Sequence, residues 1–283
     1  MKIAVIPNLT RSKAKSITYA LCRELEKLGI QYSFSAEQKA ELDGIDDRFF
    51  DSPGEFIKNS DMVISVGGDG SMLRAAKLAA YENKNVLGIN AGRLAYLCGL
   101  DSDELKLLSF LREEKYTVQT RMMLSAEVYS DGKQIYSSQC LNDAVFNRGN
   151  GLRLIDLSVK TGGRDIADYL ADGAIFATPT GSTAYSMSAG GPIVEPTLEA
   201  ILLTPICPHS LAVRPYIFSG DTEFEISVKD ENTNEVYLSC DGSENVKIGK
   251  NDIVRIKKSH ITASFISIKT DNFIDVLNKK LEK

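Results

Sequence analysis

Met62-Val63-Ile64-Ser65-Val66-Gly67-Gly68-Asp69-Gly70-Ser71-Met72-Leu73 is the stretch on which the fold turns. Its first five residues are a short apolar run rich in Val and Ile, the signature of a buried strand. The run stops at Gly67-Gly68-Asp69-Gly70. From Met72 to about Tyr81 the residues Leu73, Arg74, Ala75, Ala76, Lys77, Leu78, Ala79 and Ala80 favour helix, with Ser71 just ahead of them. One carboxylate thus stands among three glycines where a strand hands over to a helix. In an open α/β sheet that is the carboxyl end of a strand, where ligands bind. Glycines let a ligand approach the backbone, and the helix N-terminus behind them favours phosphate. Asp69 is therefore the expected chemical centre. The loop lacks the Gly-Lys-Ser/Thr ending of a Walker A motif and does not match G-x-G-x-x-G. Taken alone, it also reads as a tight turn with an acidic helix cap.

Working outward, the pattern around this stretch is strand and helix in alternation. Lys2–Ile6 reads as a strand, and Ser12 as the cap of a helix carrying Ala14, Ile17, Leu21, Leu25 and Leu28, closed by Gly29. Ile30–Phe34 reads as a strand, residues 36–53 as a loop with little order of its own, and Val86–Asn90 as a strand. A helix is expected near Asp103–Glu114. This alternation over residues 1–116 predicts a parallel, Rossmann-like sheet.

From about residue 118 the texture becomes β. Val118–Tyr129, Gln134–Asn147, Leu154–Lys160, Arg164–Leu170, Ala174–Ala177, Glu223–Lys229, Glu235–Ser239, Asp252–Ile256 and Ile261–Ile268 read as strands. They are punctuated by Asp131-Gly132, Gly162-Gly163, Asp172-Gly173, Asp230-Glu231-Asn232 and Asp241-Gly242. One interrupting helix is expected over Ala184–Ser188 and again over Thr197–Leu203. The tail from Asp271 to Glu282 carries Phe273, Ile274, Leu277 and Leu281 at helical spacing and should pack back. The fold class expected is α/β plus β. An N-terminal Rossmann-like α/β domain (1–118) bears the glycine loop, a C-terminal β-rich, β-sandwich-like domain spans 119–268, and a C-terminal helix (269–283) packs back.

Composition bounds the function. The chain has 283 residues and a net charge of −5, which speaks against a nucleic-acid-coating surface. No run approaches the about 20 apolar residues of a membrane span, and the N-terminus lacks a signal peptide's apolar region. Five scattered cysteines without a C-x-x-C pair argue for reduced thiols in a cytoplasmic protein rather than a disulfide framework or zinc site. Two histidines leave no room for a multi-His metal site. His209 reads as structural.

Three further stretches carry chemistry. Thr178-Pro179-Thr180-Gly181-Ser182-Thr183-Ala184-Tyr185-Ser186-Met187-Ser188-Ala189-Gly190-Gly191-Pro192 is dense in hydroxyls and glycine between a strand and a helix start. Hydroxyls and exposed N–H groups bind phosphate or sugar oxygens; a turn with its cap is the plainer reading. Asn142-Asp143 offers a donor and several acceptors, a match to ribose hydroxyls and an adenine edge, or an ordinary Asx turn. Asp172-Gly173 ahead of a strand is weak by itself.

In combination these stretches resemble the NAD kinase family. The resemblance is carried by Gly67-Gly68-Asp69-Gly70, by Gly88-Ile89-Asn90-Ala91-Gly92-Arg93-Leu94-Ala95-Tyr96-Leu97, by Asn142-Asp143, by Thr178 through Pro192, and by Pro205-Ile206-Cys207-Pro208-His209-Ser210-Leu211. They occur in family order from about residue 60 to 245. The glycine-acid loop alone is shared with diacylglycerol and sphingosine kinases and phosphofructokinases; the Pro179–Tyr185 run with Ser188–Pro192 is far more specific.

The resemblance implies phosphorylation of the 2′-hydroxyl of the adenosine ribose of NAD, giving NADP. It implies ATP or polyphosphate as donor and Mg²⁺ held mainly through nucleotide phosphates. Asp69 would be the general base, and Gly67, Gly68 and Gly70 would bind ATP phosphate. Asp69, Gly70, Tyr96, Asn142, Asp143, Asp172, Thr183, Ala184, Tyr185, Ser188 and Cys207 would bind NAD. The site would lie between the domains of a homo-oligomer, a dimer or tetramer, with a neighbouring subunit completing it. No nucleic acid or membrane partner is implied. Ala95-Tyr96 stands where the family usually has Gly-Phe, Asp143 where it often has Glu, and Ser243 where a Gln is common, which bears on the adenosine pocket's shape rather than the reaction. The alternatives are a lipid kinase with the same glycine-acid loop, or a non-catalytic NAD-binding sensor.

Overall fold

A computed structural model describes residues 1–45, 48–50, 53–92, 95–149, 153–229, 235–243, 245–270 and 273–281. The chain divides into two units, Met1–Thr120 with Ala263–Lys283, and Arg121–Thr262. The expected turn at Asp230-Glu231-Asn232, the motif residues Arg93 and Leu94, and the tail's Asp271 and Glu282 lie outside the described residues.

The N-terminal unit runs β1 (Lys2–Pro7), α1 (Ala14–Lys27), β2 (Gln31–Ser35), β3 (Phe49–Phe50), α2 (Pro53–Lys58), β4 (Met62–Gly67), α3 (Asp69–Tyr81), β5 (Asn85–Asn90), β6 (Leu100–Asp101) and α4 (Ser109–Arg112). The strands lie in the order β3-β2-β1-β4-β5 and pair in parallel, with β6 beside β5. Every residue of β4 is buried, as expected for a central parallel strand covered on both faces. Ile17, Leu21 and Leu25 of α1 are buried in the same apolar cluster as Ile3, Val5, Ile64 and Ile89. Three sequence expectations change here. α1 begins at Ala14 with no side-chain cap, so Ser12 does not cap it. Residues 36–53 are not a plain loop: a 3-10 helix, Ala36–Glu41, and β3 lie within them. The helix expected near 103–114 is a 3-10 turn, Leu105–Leu108, running into the four-residue α4.

The second unit is antiparallel. It contains most of β7 (Thr117–Ser130), β8 (Lys133–Cys140), β9 (Asp143–Arg148), β10 (Ile155–Thr161), β11 (Arg164–Ala171), β12 (Gly173–Ala177), α5 (Tyr185–Ser188), β13 (Ala200–Ile206), β14 (Tyr216–Ser219), β15 (Phe224–Val228), β16 (Val236–Cys240), β17 (Val246–Ile248) and most of β18 (Ile253–Ser267). One sheet has the order β14-β13-β12-β9-β16-β17. In the other, β11-β10-β15-β18 run in order, with β7 beside β18 and β8 beside β7. The two share one core in which Phe176 meets Phe146 edge-on at 5.9 Å and Phe224 at 5.2 Å, the packing of a β-sandwich. The far face of the six-stranded sheet is covered in turn. Val145, Ile175, Ala177 and Leu202 pack there against Val194, at the end of the hydroxyl-rich loop. That apolar contact helps to seat the loop.

Here too the structure departs from the sequence reading. Residues 200–206 are strand β13, not helix; Ala200–Pro205 is buried throughout and pairs with β12 and β14. A short apolar run does not betray its period, and burial on both faces decides for strand. The expected single strand 134–147 breaks at Leu141-Asn142, where the chain leaves β7's sheet for that of β9. The two late strands 252–256 and 261–268 are one strand, β18. Its last part returns to the N-terminal unit, where Ser264 and Phe265 pair in parallel with Asn85 and Val86. Beyond it, Lys269 bonds Glu104 at 2.8 Å and α6 (Phe273–Leu281) follows, with Leu277 buried.

Candidate active site

In the N-terminal unit α3 starts three residues earlier than the sequence suggests. Gly68 is its N-cap and Asp69 its first residue, so the acid is in the helix rather than capping it. The free carboxylate instead reaches a second loop. Its Oδ2 accepts the Tyr96 N–H at 2.8 Å and its Oδ1 the Leu97 N–H at 2.8 Å. Each oxygen keeps a lone pair for a further donor, so the group is oriented yet still able to take a proton. The second loop is braced by Asn90, whose Oδ1 accepts from Gly92 N–H at 2.9 Å and whose amide donates to Asp101 at 3.0 Å. On the other side Asn8 donates to Ser71 Oγ at 2.8 Å and ties the end of β1 to the first turn of α3.

The close approach at Gly68 is to a cation. A Cβ placed there would lie 3.3 Å from an Arg11 guanidinium nitrogen, and one at Gly92 equally close. Arg11 escaped sequence reading because nothing in Thr10-Arg11-Ser12 distinguishes it from a surface arginine; only the pairing of β1 with β4 brings it to the glycines.

In the second unit the expected residues fall at two ends of one sheet. At one end, Asp143 begins β9 directly after Asn142, and the hydroxyl-rich loop leaves β12. Thr178 donates from Oγ1 to Leu141 O at 2.6 Å and from N–H to Asn142 O at 2.8 Å. Ser182 Oγ bridges Pro179 O and the Val194 backbone, and Ser186 pairs with Thr204 at 2.9 Å. These buried hydroxyls hold the loop itself. Thr183 and Ala184 are half-buried, and Tyr185 and Ser188 are exposed, so these four are open to a ligand. At the opposite end of β9, roughly 17 Å away by strand rise, Asp172 forms an ion pair with Arg148 at 2.8 Å. Its N–H donates to Ile206 O, next to the exposed Cys207, whose φ is 44°. Asp172 and Cys207 are therefore neighbours of each other but not of Asn142 and Asp143.

Asp143 is buried, and that burial, with the nearby Asp241 charge second, pushes its pKa from 3.8 up to about 7. Between those values the unfolded chain has already released this proton while the folded chain keeps it. The folded state binds more protons, so this group's contribution to stability falls as pH rises from about 4 to about 7. Asp143→Asn removes the penalty. Thermal unfolding of variant and wild type at pH 5 and pH 8 should show the variant gaining about 2–3 kcal/mol relative to wild type at the higher pH; a pH-independent difference would refute the burial argument.

A parallel α/β unit presenting an oriented carboxylate among glycines, with an antiparallel unit bearing a hydroxyl-rich loop, makes a nucleotide-binding kinase. Residues 3–109 match the ATP-NAD kinase N-terminal domain and residues 141–268 the ATP-NAD kinase C-terminal domain. The chain belongs to the NAD kinase family. It is 37% identical over 281 residues to the NAD kinase of Thermoanaerobacter sp. (strain X514), covering 99% of this chain and 98% of that one. It is 43% identical over 222 residues to that of Symbiobacterium thermophilum, covering 78% of each. Among solved structures, yeast NADH kinase complexed with NADH superposes with a TM-score of 0.88 at 26% identity, over 100% of this chain and 87% of that one. An NAD kinase from Archaeoglobus fulgidus in complex with ATP superposes at 0.77 with 26% identity, over 100% and 99%.

Proposed function

We propose that the protein transfers the γ-phosphoryl group of ATP to the 2′-hydroxyl of the adenosine ribose of NAD, with Asp69 as general base. The observation that carries this is the Asp69 carboxylate, oriented by two backbone N–H groups beside a glycine loop at the carboxyl end of β4. A ribose hydroxyl is a poor nucleophile at neutral pH. As its oxygen bonds to the γ-phosphorus and the bond to ADP's bridging oxygen breaks, its proton passes to Asp69. Such assistance is worth roughly 10²–10⁴ in rate.

Gly67, Gly68 and Gly70 give the phosphates access to backbone N–H groups, and Arg11 adds a cation beside them. Asn142 and Asp143 bind the adenosine, where the buried and unpartnered Asn142 Oδ1 offers an acceptor to an amino or hydroxyl donor. Tyr96, Thr183, Ala184, Tyr185 and Ser188 contact the dinucleotide, and Asp172 and Cys207 contact its nicotinamide half. Among the described residues no three His, Cys, Asp or Glu side chains converge. Magnesium would therefore rest on nucleotide phosphates and water, offsetting the transferring group's charge.

Polyphosphate is the second donor to test. The working protein is read as cytoplasmic and homo-oligomeric, a dimer or tetramer. Five free cysteines suit a reducing compartment, and the edge strand β14 exposes the apolar side chains of Tyr216 and Ile217. Among the described residues no helix is long and apolar enough to cross a membrane.

The test is NADP or NADPH formation from NAD and NADH, each with ATP and with polyphosphate, with and without Mg²⁺. Magnesium-dependent NADP formation from NAD and ATP is expected. No turnover of either dinucleotide, with binding intact, would leave a sensor; phosphorylation of diacylglycerol instead would leave a lipid kinase.

A further inference from the structure

We propose that Asp241 is a positioning residue for the turn Leu141-Asn142-Asp143, setting the geometry with which that turn meets the adenosine of NAD. The inference rests on the functional reading above and concerns the same site. Asp241 stands a hundred residues downstream, in the turn after β16. Its carboxylate accepts three consecutive backbone N–H groups, those of Leu141 at 2.9 Å, Asn142 at 2.7 Å and Asp143 at 3.1 Å. Its own N–H donates back to Asp143 O at 2.9 Å.

The turn is thereby gripped on both sides. Asp241 takes its N–H groups, while Thr178, at the head of the hydroxyl-rich loop, takes the carbonyls of Leu141 and Asn142. This is where the chain passes from one sheet to the other, and of its three residues Asp143 alone lies in a strand, opposite Ala177. The direction of the Asn142 and Asp143 side chains is accordingly set by Asp241 from one side and by the loop from the other.

Two further features separate this arrangement from an ordinary turn cap. Asp241 has φ of 52°, a left-handed conformation in which Asp and Asn are enriched among non-glycine residues. The backbone is thus turned to bring one carboxylate under three donors. In addition, the carboxylate sits beside the buried Asp143 and opposes its ionisation, a cost that a neutral cap would avoid. A neutral Asn, however, has one acceptor oxygen for three donors and would aim its amide at an N–H group.

The experiment uses the full-length protein and two variants. Asp241→Asn keeps shape and backbone preference; Asp241→Gly accepts the left-handed backbone without strain and removes the side chain. Amide hydrogen exchange and steady-state kinetics with NAD and ATP are measured on each. Exchange should quicken at residues 141–143 in both variants while β12 and β13 keep their protection. KM for NAD should rise about tenfold or more, with kcat within about threefold and KM for ATP unchanged. Simple loss of fold would instead lower kcat through the active fraction and leave both KM values alone. Unchanged exchange at 141–143, or a fall in kcat with KM for NAD unaltered, overturns the proposal. A wild-type protein that forms no NADP sinks the functional reading; exchange at 141–143 then still decides whether Asp241 holds the turn.

Discussion

Asp69→Asn should yield a folded protein that forms NADP at less than about a hundredth of the wild-type rate, the low end of what a general base contributes. The substitution keeps size and helix position, and Asn Oδ1 can still accept one of the two N–H groups from Tyr96 and Leu97. What it removes is the second acceptor and every lone pair able to take the ribose proton. A carboxylate oxygen can take up the ribose proton, whereas an amide oxygen accepts none at neutral pH. Loss of one N–H acceptor also loosens the loop around Tyr96, so a small rise in KM for NAD is expected beside the large fall in kcat. Circular dichroism and thermal unfolding establish that the variant folds; a rate assay then decides. A folded Asp69→Asn protein retaining more than about a tenth of wild-type activity would fall outside the general-base range and remove Asp69 from that role.

How much of this was legible in the sequence follows from the range of the interactions. The passage from β4 through the glycines to α3 reads locally, since strand, loop and helix signals lie within a dozen residues. So does the hairpin at Asp131-Gly132, whose φ values of 48° and 75° are those of a tight two-residue turn. That the N-terminal strands pair in parallel follows from the alternation of strand and helix. What stayed hidden depends on residues brought together from far apart. Asn8 meets Ser71 and Arg11 meets Gly68 only because β1 pairs with β4. β13 looked helical because its burial is created by neighbours on both sides. The hydroxyl-rich loop was found, but its chemistry was only half readable. Thr178, Ser182 and Ser186 look as available as Thr183 and Ser188 in the sequence, yet their hydroxyls are spent on Leu141, Val194 and Thr204.

The same loop carries the second large effect, Gly181→Ala. A Cβ at this position would lie 2.1 Å from the carbonyl oxygen of Asn142, 2.5 Å from its carbon and 2.8 Å from its Cα. All three are backbone atoms, so no side-chain rotation gives relief. Nor can the backbone retreat freely. Asn142 O accepts from Thr178 N–H at 2.8 Å, Asn142 N–H is bound by Asp241 at 2.7 Å, and Gly181 N–H donates to Thr178 Oγ1 at 3.0 Å. Separation to van der Waals distance moves the turn by about an ångström and breaks at least one of these bonds. Overpacking of this kind costs about 1–3 kcal/mol, and a broken buried hydrogen bond adds about 1 kcal/mol or more. Together they correspond to a fall in Tm of roughly 5–10 °C at this chain length. The functional loss should be larger, because a displacement of about 1 Å at a substrate-positioning group can cost about a hundredfold. Gly54→Ala is the matched control. Nothing lies within 4 Å of its added Cβ and it sits in α2, where alanine is favoured over glycine. Calorimetry and NAD titration on both variants make the comparison. A Gly181→Ala protein that melts within about 2 °C of wild type and binds NAD as tightly would mean that the contact between this loop and the Asn142 turn is not the constraint the packing requires.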